Sequence, residues 1–197
     1  MKYEFRAYDQ DYLEYYMLNA RESKEITKKR KNAFLRSFLI GIAFLVYLTY
    51  IYSITFSNDS PVLWFIGAYT IYLLTYSIFF MNGRYKKFYQ KHYQKYIAND
   101  IKSELGRLAT IEVLEDKVHL EDESSESKFN ISELEVIWET SKHFFLKLLS
   151  GAAIIIPKED IKDENQFRKE FNFVNAPIIK LESTEWQSLK DLFFQKV

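Results

Sequence analysis

The sequence predicts an α+β protein in which a transmembrane helical hairpin precedes a small antiparallel β domain. Two apolar runs, 37–56 and 61–81, contain no Asp, Glu, Lys, Arg or His, and they predict the two helices of the hairpin. After Gly106 the apolar residues recur at every second position, which is the period of strands. Segment 163–173 then returns to helical spacing. We therefore expect a small β-barrel or bent sheet that is capped by a C-terminal helix.

Each apolar run is long enough to cross a bilayer. A helix of 20 residues is about 30 Å long, which matches the hydrocarbon thickness of a membrane. Residues 57–60 between the runs are turn formers, and Pro61 suits the first position of a new helix. The alternative is a pair of buried helices in a soluble protein. The rest of the chain is too small to enclose two helices that are apolar on every face.

Basic residues flank both predicted spans, whereas the turn between them carries Asp59 and no cation. The positive-inside rule therefore predicts a multi-pass protein of the cell membrane with both termini in the cytoplasm. The spans contain no mid-membrane charge, so the usual signature of a proton relay is missing. The candidate membrane-interface residues are Lys28, Lys29, Arg30, Lys31, Arg36, Arg84, Lys86 and Lys87.

The composition excludes several classes of protein. The 27 Lys and Arg residues equal the 27 Asp and Glu residues, which argues against a nucleic-acid partner. The absence of Cys excludes disulfides, thiolate zinc sites and a cysteine nucleophile. The charge is unevenly distributed, because residues 1–105 carry 15 cations and 9 anions whereas residues 106–197 carry 12 and 18. The two parts are thus +6 and −6, which predicts two pieces with different roles.

Four segments follow from these patterns. Aromatic residues recur at helical spacing within 12–19 and 85–96, and two interpretations stay open: the stripes pack on each other or on the C-terminal domain, or they lie on anionic lipid. Residues 2–6 alternate like a strand that joins a distant sheet. The predicted divisions are 1–33, an N-terminal cytoplasmic amphipathic segment; 34–81, the hairpin; 82–105, a basic and aromatic juxtamembrane helix; and 106–197, the cytoplasmic β domain.

The β domain is predicted to consist of short strands joined by turns. A turn at Glu115 and Asp116 and another at Ser150 and Gly151 separate alternating runs, and Pro157 ends the last of them. A final amphipathic helix is predicted to begin near Ser183. The predicted strands lie at 111–114, 118–120, 128–131, 134–139, 143–149 and 152–156.

The inventory of catalytic and metal-binding residues is small. His92, His119 and His143 are far apart in the sequence and lack a neighbouring nucleophile motif, although the last two could be neighbours on strands. The acidic stretch 121–126 could attract Ca²⁺, but it lacks the ligand spacing and the glycine of a calcium loop, which favours a solvated loop. We expect no cofactor, no metal and no catalytic residue.

The order of motifs in the β domain resembles the YcxB-like proteins. The resemblance rests on Ile137-Trp138-Glu139, on residues 143–146 and 153–158, and on Phe167-Arg168, with Trp138, Pro157 and Lys158 as its most specific members. It covers residues 107–174 in detail and implies a cytoplasmic domain similar to the bacterial pleckstrin-homology-like fold, tethered by two helices. Lys117 replaces a glycine that is usual in the family, and the tail 177–197 has no counterpart. The resemblance implies no established activity.

The leading hypothesis is a membrane-anchored, non-enzymatic binding or scaffolding module of the YcxB-like type. Its expected partners are the lipid bilayer, crossed by two spans, and a protein or peptide that binds the β domain, since an acidic domain is repelled by anionic lipid. Homo-oligomer formation stays open. The alternative is an immunity or protective membrane protein whose hairpin meets a toxin or peptide, and a membrane-bound hydrolase ranks third.

Overall fold

The computed structural model describes residues 2–55, 62–114, 117–172 and 177–181. The described residues fall into two compact units. One contains the residues up to Leu18 and those from Gln90 onward, and the other contains Asn19–Tyr89. The α-helices are α1 (Asp9–Glu22), α2 (Lys24–Thr55), α3 (Val62–Tyr96) and α4 (Glu164–Asn172). A short π-helix, Ile97–Ile101, follows α3.

Helix α2 is the candidate membrane helix of the described chain. Its segment Lys24–Ile54 is long and apolar enough to cross a bilayer, and it is the one candidate found among the described residues. Almost none of its apolar stretch is buried within the protein. The second predicted span, 61–81, lies mostly within α3. The turn predicted at 57–60 lies outside the described residues.

The β domain contains two four-stranded sheets. Sheet A has the order β1-β2-β3-β4 and is antiparallel throughout. Sheet B has the order β7-β6-β5-β8, in which β8 runs parallel to β5. The strands are β1 (Lys2–Arg6), β2 (Leu108–Val113), β3 (Lys117–Asp122), β4 (Glu126–Asn130), β5 (Leu134–Glu139), β6 (His143–Leu148), β7 (Ala153–Pro157) and β8 (Ile178–Lys180).

Local sequence explains how the strands are joined. Asp122 ends β3, and its Oδ1 accepts the backbone N–H groups of Ser124 and Ser125 at 2.6 and 2.7 Å. These bonds hold the pKa of Asp122 at about 2 and fix the turn into β4. Between β6 and β7, Gly151 adopts a φ of 89°, a conformation that side chains with a Cβ rarely reach. The turn predicted at Ser150 and Gly151 is confirmed, and the acidic stretch forms the short connection from β3 to β4. The turn predicted at 115–116 lies outside the described residues.

The main core lies between the two sheets and α4. Ile111 and Val118 of sheet A meet Phe144 and Ile156 of sheet B, and all four side chains are 0–1% exposed. Phe167 and Phe171 of α4 complete the cluster. Burial of this many apolar side chains, each contributing about 1.5–3 kcal/mol, stabilises the two-sheet arrangement.

Of the predicted barrel or bent sheet, the closed barrel is wrong, whereas the α+β class is confirmed. In the part of the chain that the structure describes, the two sheets remain separate four-stranded sheets and do not close on each other. The physical reason is that β8 pairs in parallel with the edge of β5 that β6 leaves free, so this edge is not available to a strand of sheet A. The predicted helix 163–173 is confirmed as α4.

The N-terminus belongs to the β domain. The strand predicted at 2–6 is confirmed as β1, which pairs with β2 from Lys2 opposite Glu112 to Arg6 opposite Leu108. Helix α1 then covers the other face of sheet B. Its Tyr15 and Leu18 are buried in a second cluster with Trp138 and Phe145. Sheet B is therefore buried on both faces, between the main core and α1.

Some aromatic residues of the two stripes contact each other, as the first of the two interpretations predicts, whereas Phe88 of the second stripe is 65% exposed. Tyr16 of α1 stacks on Tyr93 of α3, with 5.3 Å between the ring centroids, and meets Tyr96 edge-on at 5.4 Å. Tyr12 and Tyr15 face sheet B. The final helix predicted from Ser183 lies outside the described residues.

Candidate functional site

The motif residues of the family resemblance meet on sheet B. Strands β5, β6 and β7 carry them, and successive side chains alternate between the two faces. On the core face, the end of β5 brings Glu139 next to Lys158 and Arg168. On the α1 face, Trp138, His143 and Phe145 lie together. The arrangement thus has two parts, one on each side of the sheet.

The first part is an ion cluster around the buried carboxylate of Glu139, whose side chain is 6% exposed. Lys158 places its Nζ 2.9 Å from Oε1 of Glu139, and Arg168 places Nη2 2.6 Å from the same oxygen. Both cations also contact Oε2 of Glu164, at 3.2 and 2.5 Å. Lys158 lies 4.7 Å above the ring of Phe144 as well.

This cluster joins α4 to the ends of β5 and β7. Burial by itself raises the pKa of Glu139, but hydrogen bonds donated by Arg168 and Lys158 outweigh it and lower the pKa below its usual value. The carboxylate therefore stays charged at neutral pH. The two cations are balanced by two carboxylates, so the charge of Lys158 is neutralised within the cluster and does not attract an anionic ligand. The cluster fixes the position of α4 on the sheet.

The second part is a clip between β6 and α1. His143 is buried at 5% exposure, and its Nε2 lies 2.8 Å from Oδ1 of Asp11. Its Nδ1 lies 3.5 Å from Oε2 of Glu14, one helical turn further along α1. Asp11 is positioned in turn by the backbone N–H of Tyr8, which donates to its Oδ2 at 2.7 Å. The clip ties the first turns of α1 to sheet B.

The clip is charged at neutral pH. Burial tends to lower the pKa of His143, but the carboxylates of Asp11 and Glu14 outweigh it and raise the pKa to about 9. Burial by itself raises the pKa of Asp11, but the hydrogen bond with His143 outweighs burial, so the pKa of Asp11 lies below its usual value. The imidazolium donates a hydrogen bond from Nε2 to Asp11, and its Nδ1 lies within ion-pair distance of Glu14. A histidine in this state donates protons to fixed partners and has no lone pair with which to act as a base.

Trp138 and Pro157 occupy structural positions. Trp138 is 6% exposed and lies 6.4 Å, centroid to centroid, from the ring of Tyr15. Lys147 lies 5.5 Å above the indole. Pro157 is the last residue of β7 and is paired with His143, which brings Lys158 to the end of β5. The prediction that Pro157 ends the strand is confirmed.

The predicted membrane-interface residues lie on α2 and α3. Lys31 is half-buried, and Lys29 forms an ion pair of 2.6 Å with Glu25. Arg30 differs from its neighbours, since its side chain is 1% exposed and interacts electrostatically with Tyr85 and Tyr89. The members with exposed side chains are Lys28, Lys29, Arg36, Arg84, Lys86 and Lys87.

The structure does not bring the predicted pair of histidines together. His119 lies on sheet A, with Nε2 3.0 Å from Glu126, whereas His143 lies on sheet B with Asp11. Among the described residues, no group of three or more His, Asp or Glu side chains has the arrangement of a metal site. The acidic stretch forms the end of β3 and the turn into β4.

Sequence reasoning missed the partners of the motif residues. Glu139 and Arg168 appeared only as letters of the motif, and Asp11 and Glu14 were not singled out. Asp11 and Glu14 are three residues apart on a helix, so their carboxylates lie on the same face. This spacing was the one sequence feature that indicated a shared cationic partner. Nothing in the sequence joins them to a histidine 132 positions later.

Comparison with known proteins agrees with these motifs. The family model of the YcxB-like proteins matches residues 113–171, which extend from the end of β2 to α4. Comparison with curated proteins and with solved structures returned no match. The matched segment holds Glu139, Lys158 and Arg168 of the ion cluster and His143 of the clip, and the resemblance of this part of the sequence is thereby confirmed. The YcxB-like family model thus matches residues 113–171 of the chain, from the last residue of β2 to α4.

Proposed function

We propose that the protein is a membrane-anchored, non-enzymatic module that presents its β domain to a cytoplasmic protein or peptide. The observation that carries the anchor is the exposure of apolar side chains along α2. Leu39, Ile40, Phe44, Val46 and Ile54 are each 54–65% exposed. A contiguous apolar surface of this kind is rare on a soluble monomer and is normal for a helix surrounded by lipid.

The proposals of a second span and of the membrane orientation are based on the sequence. Run 61–81 has the length and the lack of charge that a bilayer requires, and most of it lies in α3. The basic flanks lie before the first run and after the second, which supports both termini in the cytoplasm of a multi-pass protein of the cell membrane. Two stacked sheets with a helix against them support the expected likeness to the pleckstrin-homology-like fold.

The proposed binding role is based on the polar outer face and the net charge of the β domain. The outer face of sheet A is polar, because the side chains that alternate with Ile111 and Val118 point away from the core. Residues 106–197 have a net charge of −6, so an anionic membrane surface repels them, whereas a basic protein segment is attracted. The charged residues of that face, four cations and four carboxylates, are Lys2, Glu4, Arg6, Glu112, Lys117, Glu121, Glu126 and Lys128, and His119 lies among them.

The chemistry of the histidines supports a role without catalysis. In the described residues of the β domain, His119 and His143 contact carboxylates rather than a Ser or Thr hydroxyl that they could activate. His143 is also buried, which keeps a substrate away from it.

One observation favours the alternative, a protective protein whose membrane helices meet a toxin or peptide. Tyr47 and Tyr50 are 59 and 62% exposed on α2, near the middle of the apolar run. A phenol hydroxyl that faces hydrocarbon has no hydrogen-bond partner there, so a polar group of an entering peptide would satisfy it.

Site-specific photo-crosslinking in native membranes separates these functions. A photoreactive residue is placed at Glu121 or Lys128 on sheet A, and at Ile40 or Tyr47 on α2. The binding module predicts crosslinks to one cytoplasmic protein from both sheet positions and none from α2. Crosslinks from α2 alone, which appear when the toxin or peptide is added, would favour the protective role. Crosslinks to lipid or to many unrelated proteins at every position would contradict the binding module.

A further inference from the structure

The basic residues of α2 and α3 form a strongly charged surface next to the apolar runs. Segment 24–36 contains six Lys and Arg residues and one acid, Glu25. Segment 83–89 contains three cations and no acid. Nine cations and one anion give these two stretches a net charge of +8, although the whole chain is neutral. We call these two stretches the basic collar.

The packing of Arg30 makes the collar a single surface. Its guanidinium is buried and interacts electrostatically with Tyr85 and Tyr89 of α3. This interaction places the basic end of α2 beside the basic start of the second half of α3, within one compact unit. The surrounding exposed cations therefore come from both helices, which allows an anion to be contacted from two sides.

The depth of these cations matches the phosphate layer of a bilayer. The apolar runs end at Ser37 and Met81. At a rise of 1.5 Å per residue, Arg36 lies about 2 Å and Arg84 about 5 Å beyond the apolar ends. The headgroup region adds about 5–8 Å to each side of the hydrocarbon core. The backbone of Lys87 lies about 9 Å beyond the apolar end, and its long side chain reaches back into that region.

We propose that the basic collar binds the headgroup phosphates of anionic phospholipids. The inference rests on the proposed membrane anchoring and adds to it a choice of lipid. Positive charge near a span orients a protein in any membrane, but two adjacent stretches with a net charge of +8, a single acid and seven exposed cations also attract anionic lipid over zwitterionic lipid. The acidic β domain, at −6, has the opposite preference. The collar and the domain thus divide lipid contact and protein contact between them.

The test compares the lipids retained by the full-length protein. The chain is reconstituted in vesicles of equal phosphatidylglycerol and phosphatidylcholine, extracted in mild detergent, and weighed with bound lipid by native mass spectrometry. The collar variant carries Arg36→Gln, Arg84→Gln, Lys86→Gln and Lys87→Gln. The matched control removes four exposed cations elsewhere, with Lys2→Gln, Lys102→Gln, Lys117→Gln and Lys128→Gln.

The native protein and the control should retain phosphatidylglycerol in preference to phosphatidylcholine, and 0.5 M salt should weaken that preference. In the collar variant we expect the preference to fall by about tenfold or more, with an upper limit of about 600-fold, since four cations are removed and each contributes at most about fivefold. Equal retention of the two lipids by the native protein, or an equal loss in the control, would overturn the inference.

Carbonate extraction of the same vesicles distinguishes the two proposals. A protein that stays in the membrane pellet but shows no lipid preference overturns the lipid inference alone. A protein released by carbonate overturns the anchor, and the lipid inference falls with it.

Discussion

The imidazole of His143 and the carboxylate of Asp11 lie 2.8 Å apart although 132 positions separate them in the chain. This ion pair joins the N-terminal helix to a strand inside the family segment. It holds α1 over Trp138 and Phe145, so the face of sheet B that would otherwise be apolar and exposed is covered. The β domain therefore depends on residues on both sides of α2 and α3 in the sequence.

The first prediction concerns the titration of His143. In the full-length protein in micelles, its imidazole resonances should titrate with a midpoint near pH 9. Asp11→Asn removes the nearest carboxylate and should move the midpoint toward the ordinary value of about 6.5. NMR of histidine side chains measures both. A native midpoint near 6.5 would show that the clip does not form.

The sign of the linked stability follows from the raised pKa. Because the folded state holds the proton more tightly, the contribution of His143 is complete below about pH 6.5 and is lost as the pH rises through 9. Amide hydrogen exchange in α1, corrected for the intrinsic pH dependence, should therefore accelerate between these values. In Asp11→Asn the acceleration should be smaller, and an unchanged profile would contradict the linkage.

Removal of the buried carboxylate of the ion cluster should strongly destabilise the domain. Glu139→Gln leaves Lys158 and Arg168 partly buried with one carboxylate fewer, and we expect the free energy of unfolding to fall by about 2–4 kcal/mol. Glu135→Gln is the matched control on the same strand, because Glu135 pairs with Lys147 at a more exposed site. That pair should contribute less than about 1 kcal/mol. Urea unfolding measures both variants, and equal losses would argue against the cluster.

The packing of α1 on sheet B can be tested at Leu18, which is 1% exposed. Leu18→Ala leaves a cavity against the second cluster and should cost about 2–4 kcal/mol. Hydrogen exchange should show the loss first in α1, which opens before the sheet core. Leu108→Ala provides the comparison, since Leu108 is 37% exposed. If the two variants exchange alike, α1 does not cover the sheet as described.

The turn between β6 and β7 requires a backbone that only glycine adopts easily. Gly151 has a φ of 89° and no atom within 4 Å of the position of an added Cβ, so a substitution is opposed by backbone strain alone. Gly151→Val should cost about 1–2 kcal/mol. Gly151→Asn should cost less, because Asn tolerates positive φ better. Thermal unfolding ranks the two, and a less stable Asn variant would contradict this explanation.

The sequence predicted most strands of the β domain well because turn residues separate alternating apolar runs in sheet A and nearly continuous apolar runs in sheet B. Ile111, Val118 and Phe144 each mark the buried face of a strand, and Pro157 marks an end. The parallel strand β8 was missed, since three residues carry too little pattern to assign. Barrel closure was predicted wrongly, because it depends on which strands become neighbours and not on the pattern within any one of them.

The candidate site was less predictable than the fold. Residues 136–139 are all buried, so both faces of β5 are covered. The sequence feature that indicates this is the continuous apolar run 136–138, which is typical of a strand covered on both faces. The sequence could not show that α1 is the cover. Likewise, Arg30 was grouped with its basic neighbours, whereas it turns toward Tyr85 and Tyr89 because of its place on the helix.

The central claim is that lipid surrounds the apolar helices while the β domain lies in the cytoplasm. Cysteine accessibility tests it most directly, because the native chain has no Cys. Ser125→Cys lies in the exposed turn between β3 and β4. In intact cells an impermeant maleimide should leave this cysteine unlabelled, and permeabilisation should make it react while the protein stays in the membrane pellet. Labelling at position 125 before permeabilisation would contradict the account.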